Sequence, residues 1–146
     1  AVRRALAGGV APDGAGDPRA LAHALVKLGR VATQPGLVVV ISDFRDQHDW
    51  IRPLGALAAH HSMMAVEVRD PREVQLPNVG QLALVDPETG ELVQIDTSRR
   101  RVRQRFAAIE AEGRARVAAE LRRLAVEHVV LSTDRDWLKD LGRRLS

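Results

Sequence analysis

The stretch that most limits how this chain can fold is the aliphatic run from Leu37 to Ile41. Gly36 precedes the run, and Ser42 and Asp43 follow it directly. A short, uninterrupted apolar run of this kind is typical of a strand buried inside a parallel sheet. Ligands of open α/β sheets bind outside the carboxyl ends of the strands, so the sequence places the Asp43 carboxylate where a functional group would stand.

Helical and strand patterns alternate over most of the remaining chain. Asp17 followed by Pro18 signals a helix start, after which leucines recur every three to four residues until Gly29. Strands joined by helical crossovers form parallel sheets, so we expect an α/β fold with a partial Rossmann-like sheet and helices on both faces. The expected elements are, in order, a helix over 17–29, a strand over 37–41, a helix over 50–59, a strand over 63–68, two hairpin strands over 81–85 and 92–95, a helix from Thr97 or Ser98 to 124, a strand over 128–131 and a helix over 137–145.

The hairpin is expected to interrupt the parallel sheet. Its turn, residues 86–90, has Pro and Gly in hairpin positions. We therefore divide the chain into residues 1–16, a Gly- and Ala-rich helix remnant and loop, and residues 17–146, the C-terminal part of a domain with a hairpin insertion over 76–96.

The long helix is expected to be amphipathic and to carry internal ion pairs. Glu110 and Arg114 have the i, i+4 spacing that stabilises a helix by about 0.2 to 0.5 kcal/mol per pair. The inward stripe is formed by apolar residues at helical spacing, namely Val102, Phe106, Ile109, Val117, Leu121 and Leu124.

Composition limits the possible functions. The 146 residues, 45% hydrophobic and 28% charged, suit one globular domain. The absence of Cys removes thiolate catalysis and Cys-based zinc sites and suits a reducing cytoplasm. No apolar run approaches the roughly 20 residues that span a bilayer, and no signal-peptide pattern opens the chain, so a cytoplasmic location is expected.

Asp43 is the candidate metal ligand. Asp46, His48 and Asp49 follow it in the same loop, where oxygen ligands could gather a hard cation such as Mg²⁺. The alternative interpretation of Asp46 and Asp49 is that they support the start of the next helix electrostatically. The histidines suggest no further site: His60 and His61 are adjacent, which is not a metal-pair spacing, and His23 and His128 have no matched partner in the sequence.

Positive charge is concentrated towards the C-terminal end. Residues 1–98 carry 9 basic and 12 acidic side chains, whereas residues 99–146 carry 13 basic and 7 acidic ones. The densest block, which is a candidate partner-binding site, consists of Arg99, Arg100, Arg101, Arg103 and Arg105. Clustered guanidiniums bind phosphate, but we favour nearby acids such as Asp70, Glu73 or Asp96, or a protein partner, over nucleic acid.

Five runs, taken in their order and spacing, resemble a known family. They are LVVVISDF (37–44), VRDPRE (68–73), LPNVG (76–80), VDPETGE (85–91) and LSTDRDW (131–137). The resemblance covers residues 17–145 and is to the C-terminal half of the bacterial domain-of-unknown-function family number fifty-eight. It implies a von Willebrand factor A-like fold, a MoxR-type AAA+ ATPase as partner, and assembly or chaperone-like work rather than catalysis.

The resemblance also bears on the metal site and on the sheet edge. An A-like domain binds its metal through an Asp-x-Ser-x-Ser, a Thr and a later Asp; Asp43 matches the last of these, and the Asp-x-Ser-x-Ser is absent from this sequence. The metal site is therefore expected to be incomplete, with no cofactor in this chain. The chain is either a C-terminal fragment of a longer protein that could bind Mg²⁺ or a divergent protein without metal binding, and we favour the fragment. The strand over 37–41 would then lack a neighbour, which predicts homodimerisation through its exposed edge.

Three functions follow as expectations. The first is a non-catalytic protein-interaction module that works with the ATPase. The second is a Mg²⁺-dependent phosphoryl-transfer enzyme that uses Asp43. The third is nucleic-acid binding through residues 99–105, with affinity that falls steeply as salt rises.

Overall fold

Parallel strands alternate with helices in the part of the chain that the structure describes, which is residues 17, 19–45, 48–85, 92–134, 136 and 142 of a computed structural model. The elements are α1 (Ala20–Val31), β1 (Leu37–Ser42), a 3₁₀ helix (His48–Trp50), α2 (Ile51–Ala58), β2 (Ser62–Arg69), α3 (Pro71–Val74), β3 (Gln81–Val85), β4 (Leu92–Asp96), α4 (Arg100–Arg123) and β5 (Glu127–Ser132). The expected α/β class is confirmed, and the elements expected up to β5 occur in the expected order, whereas the 3₁₀ helix and α3 were not predicted. Residues 1–16 and the helix expected over 137–145 lie outside the described part, apart from residue 142.

The main sheet contains three parallel strands in the order β1-β2-β5. Val40 lies beside Ala65, and Ala65 lies beside His128, so one register runs across all three strands. Among the described strands, β2 is therefore central and β1 has a neighbour on one side only. The antiparallel pair β3 and β4 forms a second sheet, which confirms the inserted hairpin.

Side chains of β2 are buried on both faces of the main sheet. Successive residues of a strand point to opposite faces, and Met63 to Glu67 are all buried. Met63 and Ala65 belong to a large core cluster, and Met64 and Val66 belong to a smaller one with Val129 and Leu131 of β5. Because side chains of β2 alternate between the two faces, the sheet separates two core clusters.

The described helices contribute to the larger cluster. Its members from outside the sheet include Leu25 of α1, Leu54 and Leu57 of α2, and Val117 and Leu121 of α4. Burial of such side chains stabilises the fold by about 1.5 to 3 kcal/mol each, which makes this helix-covered face the main core. The expectation of helices on both faces is thus supported on one face by the helices seen here.

Helix α4 departs from its expected inward stripe. Val117 and Leu121 are buried as predicted, but Ile109 is 56% exposed. The 24 residues of α4 extend about 36 Å, whereas the eight residues of β2 extend about 26 Å, so the helix is longer than the sheet that it covers. In its first half Val102 and Phe106 are only half-buried, so the inward stripe is weaker there than at Val117 and Leu121.

Two expected helix starts are shifted. Helix α1 begins at Ala20, three residues after Asp17, and α4 begins at Arg100 rather than near Thr97. The Asp17 side chain still stabilises the first turn, because its Oδ1 accepts a hydrogen bond from the Arg19 backbone N–H at 2.9 Å. It also pairs with His23 Nδ1 at 2.9 Å, so His23 has a partner after all.

Thr97 does not cap α4. It lies between the hairpin and the start of that helix, and it bonds to the hairpin instead. Its side chain is fully buried, its Oγ1 donates to the Gly80 carbonyl at 2.8 Å, and its own backbone N–H donates to the same carbonyl at 2.7 Å. Gly80 has a φ of +80°, a conformation that side-chain-bearing residues rarely adopt. This contact closes the base of the hairpin.

No helix among the residues that the structure describes is long and apolar enough to cross a lipid bilayer.

We expect Thr97→Val to lower the free energy of unfolding by about 1 to 3 kcal/mol, because it leaves the Val79 N–H and the Gly80 carbonyl without the buried hydroxyl. Urea denaturation followed by circular dichroism measures this change. Thr33→Val, the same replacement at an exposed position, is the control and should change stability little. Equal effects of the two substitutions would contradict the role of Thr97.

Candidate functional site

Asp43 lies where the sequence predicted, directly after the carboxyl end of β1. It is exposed, and its Oδ1 accepts a hydrogen bond from the Arg45 backbone N–H at 3.2 Å. Ser42 Oγ accepts in the same way from the Phe44 backbone N–H at 3.1 Å. Two side chains therefore hold the turn that presents the Asp43 carboxylate.

Phe44 fixes this turn to the core. Its φ is +54°, an uncommon conformation for a residue with a large side chain, which costs about 1 to 3 kcal/mol. The ring is buried and lies edge-on to Trp50, with ring centroids 5.2 Å apart. Burial of the two rings offsets the strained backbone and sets the direction of the chain after β1.

The residues expected to join Asp43 around a cation are not gathered there by the structure. Asp49 forms an ion pair with Arg19 at 3.2 Å, which ties the 3₁₀ helix to the start of α1. Asp46 and the side chain of His48 lie outside the described part. The described residues contain no group of three or more His, Asp or Glu side chains that could hold a metal ion. Asp43 as a metal ligand in a longer protein stays a prediction.

Within the arginine block, two of the five members contact oxygen atoms close by in the chain. Arg99 Nε lies 3.1 Å from Asp96 Oδ2, and Arg103 Nη1 donates to the carbonyls of Thr97 and Ser98. The nearby acid favoured in the sequence is thus seen at Asp96. Arg100, Arg101 and Arg105 are exposed, and a partner-binding role for the block stays a prediction.

Asp96 is the acceptor that organises the turn before α4. Its Oδ1 accepts hydrogen bonds from the hydroxyl and the backbone N–H of Ser98. These two bonds, followed by the Arg99 guanidinium, lower the pKa of the Asp96 carboxyl below its ordinary value of 3.8. The carboxylate form is therefore the one that stabilises this turn.

A buried polar network on β2 and β5 was missed by sequence reasoning. Glu67 is 3% exposed, and its Oε1 and Oε2 accept from Arg69 Nε at 2.6 Å and Arg69 Nη2 at 2.8 Å. His128 Nε2 lies 2.8 Å from Glu67 Oε2. A buried carboxylate is unfavourable unless charged partners and hydrogen bonds compensate it, and both are present here.

One contact of this network could have been inferred from nearby residues, and the other could not. Glu67 interrupts an otherwise apolar strand, and Arg69, two residues later, projects from the same face. His128 lies 61 residues further along the chain, and only the β2–β5 register brings it to Glu67. The interpretation that His128 has no partner was therefore wrong.

His60 and His61 border an apolar groove between the ends of α1 and α2. The groove has a volume of about 670 Å³ and is also lined by Leu25, Gly29 and Leu57. The structure brings neither histidine to Asp43 or to the Glu67 network. Their position after the end of α2 agrees with the surface role that the sequence favoured.

Comparison with known proteins gives a family match. The family model described as "Protein of unknown function DUF58" matches residues 1–116. An uncharacterised protein of Mycobacterium avium is 43% identical over 123 residues, which is 84% of this chain and 72% of the relative. Uncharacterised proteins of Mycobacterium bovis and Mycobacterium tuberculosis are each 43% identical over 125 residues.

The relatives differ in how much of their length is matched. The chain spans 38% of the length of the M. bovis and M. tuberculosis proteins and 84% of its own length is aligned in each case. No solved structure is a significant match to the chain.

We expect Glu67→Gln to lower the free energy of unfolding by about 1 to 3 kcal/mol, because the amide replaces a charged acceptor that serves both Arg69 and His128. The matched control is Glu127→Gln, which changes an exposed carboxylate on the adjacent strand. Urea denaturation of both variants measures the difference. An unchanged stability of Glu67→Gln would show that the network contributes nothing to folding.

The lowered pKa of Asp96 predicts a pH dependence with a defined sign. Its contribution to stability is complete above the ordinary value of 3.8 and is lost as the pH falls through the lower folded-state value. Carboxyl ¹³C NMR should therefore give an Asp96 midpoint below 3.8, and Ser98→Ala should raise it towards 3.8. An Asp96 midpoint that is the same in the parent chain and in Ser98→Ala would show that the Ser98 hydroxyl does not lower this pKa.

Proposed function

Since this chain belongs to the family of proteins of unknown function DUF58, we propose that it is a non-catalytic protein-interaction module that works with a MoxR-type AAA+ ATPase. The resemblance noted in the sequence motivates the choice of the ATPase. The work is assembly or chaperone-like and takes place in the cytoplasm. The observation that supports the proposal is the exposed apolar face of β1, the strand at one edge of the sheet formed by the described strands.

Strand β1 is short and apolar, and a strand partner is seen on one side only among the described elements. Its side chains on one face are strongly exposed: Leu37 by 63%, Val39 by 47% and Ile41 by 69%. We call these three residues the β1 surface. Exposed apolar strands at a sheet edge attract further strands unless something covers them, so this surface supports an interaction role.

The β1 surface continues a buried patch. Val39 lies beside Met64 of β2, and Ile41 lies beside Val66, whose side chains are both buried in the smaller core cluster. The apolar face thus runs from the core outwards to the edge. A partner that adds a strand beside β1 would extend both the backbone ladder and this apolar face at once.

The simplest partner for this edge is a second copy of the chain. Self-association would pair the same surface on two molecules through a twofold axis. In a longer protein of the same family, another strand of the same polypeptide would take that place. Both arrangements use the same backbone groups, so both are sensitive to charge introduced on the β1 surface.

The arginine block is less well supported than the β1 surface as the site that binds a protein partner. Arg99 and Arg103 are bonded to oxygen atoms of residues 96–98, which supports a role in holding the turn before α4. Nucleic-acid binding through this block and phosphoryl transfer at Asp43 remain the alternative functions. A salt titration with duplex DNA and a Mg²⁺-dependent phosphatase assay separate them from the proposal.

We expect Ile41→Lys to abolish self-association, because a Lys on the edge removes apolar contact and repels its copy across the interface. Ile109→Lys introduces the same charge at an exposed position of α4 and should leave the association state unchanged. Size-exclusion chromatography with light scattering measures both. A monomeric parent chain would contradict the homodimer.

The same pair of variants tests the ATPase partnership. A MoxR-type ATPase encoded beside a relative should bind the parent chain and Ile109→Lys, and bind Ile41→Lys more weakly. A pull-down with purified components measures this binding. Failure of the parent chain to bind the ATPase would remove that partner from the proposal.

A further inference from the structure

A cavity of about 500 Å³ opens at the carboxyl ends of β2 and β5, on the side covered by α4. Its polar lining includes Arg69 of β2, Arg114 of α4, Ser132 of β5 and Gln75. Val74 and Val130 provide apolar walls. The volume lies within the roughly 300 to 1,000 Å³ typical of small-molecule sites. The cavity is separate from Asp43 and from the β1 surface.

Arg69 enters this cavity in a fixed orientation. A guanidinium has five N–H donors, and the buried Glu67 accepts from two of them, one on Nε and one on Nη2. No described residue accepts from Nη1. His128 Nε2 contacts Glu67 Oε2, the same oxygen that accepts from Arg69 Nη2, and so helps to hold the carboxylate in place. The network therefore holds Arg69 with donors still available.

Arg114 approaches the cavity from the helix. The sequence predicted that it pairs with Glu110, but Glu110 Oε2 lies 3.3 Å from Arg45 Nη2 instead. Arg114 has no hydrogen bond or ion pair with any residue in the described ranges. Arg114 and Arg69 thus line one cavity from two different elements.

We propose that this cavity binds a small organic anion, whose oxyanion is held between Arg69 and Arg114. Arginine matches carboxylate and phosphate oxygens with paired hydrogen bonds, and pre-orientation by Glu67 reduces the entropy lost on binding. The organic part lies against Val74 and Val130. The shared ligand chemistry is a carboxylate or a phosphate on a molecule of cavity size.

The charges around the cavity favour an anion over a cation. Among the described side chains, the lining includes two arginines and one acidic residue, Asp134, whose Oδ1 accepts from the Ser132 hydroxyl. Glu67 is buried and is already bonded to Arg69 and His128. A cation entering the cavity would meet both guanidiniums, whereas an anion would be paired by them.

The test is an NMR titration of the 146-residue chain with succinate and, separately, with inorganic phosphate at constant ionic strength and low chloride. The amides near Arg69, Arg114 and Ser132 should shift and saturate at millimolar probe concentrations. Arg114→Gln should weaken the binding about tenfold or more, since it removes a charged donor pair. Arg116→Gln, two residues away on the exposed side of α4, should leave the affinity close to that of the parent.

The relative affinity for the two probes assigns the ligand as a carboxylate or a phosphate. Absence of saturable shifts with both probes would overturn the proposal. So would an equal loss of affinity in Arg114→Gln and Arg116→Gln, which would mean attraction by overall charge. Ile41→Lys should bind the probe like the parent chain, so this site can fail or succeed independently of the β1 surface.

Discussion

Burial of β2 on both of its faces is the constraint on which the remaining structure depends. Its residues Met63 to Glu67 separate two apolar clusters, so β1 and β5 must pair on its two sides and the helices must cover at least one face. A one-residue slip of β5 against β2 would place His128 on the opposite face of the sheet from Glu67, and a slip of β1 would move Val40 out of the larger cluster. The register that builds the core is thus the register that builds the polar network.

The sequence was a reliable guide wherever a pattern was local. The aliphatic run of β1, the alternation of helices and strands and the two apolar runs over 81–85 and 92–95 each predicted the correct element, because strand burial and helical spacing act over a few residues. Helix starts were less accurate. Thr97 has the right chemistry for a cap, but a buried bond to Gly80, 17 residues earlier, uses its hydroxyl instead.

The candidate sites show the same difference between local patterns and contacts made by residues distant in sequence. The position of Asp43 at the end of β1 was predictable, since it depends only on where the strand stops. The Glu67–His128 contact and the position of Arg114 at the cavity were not, because they depend on strand order and on how α4 lies across the sheet. Glu110 illustrates the difficulty: its helical neighbour is four residues away, but its observed partner, Arg45, is 65 residues away.

The unusual backbone of Phe44 has a consequence for any molecule that approaches Asp43. Since the ring is anchored against Trp50 and two side chains bond the turn, the tip of β1 is already ordered before contact. A molecule that binds there would contact a carboxylate that is already held in place, so little conformational entropy of this turn would be lost on binding. Selectivity at residues 43–45 would then reflect charge and shape more than ordering of this turn.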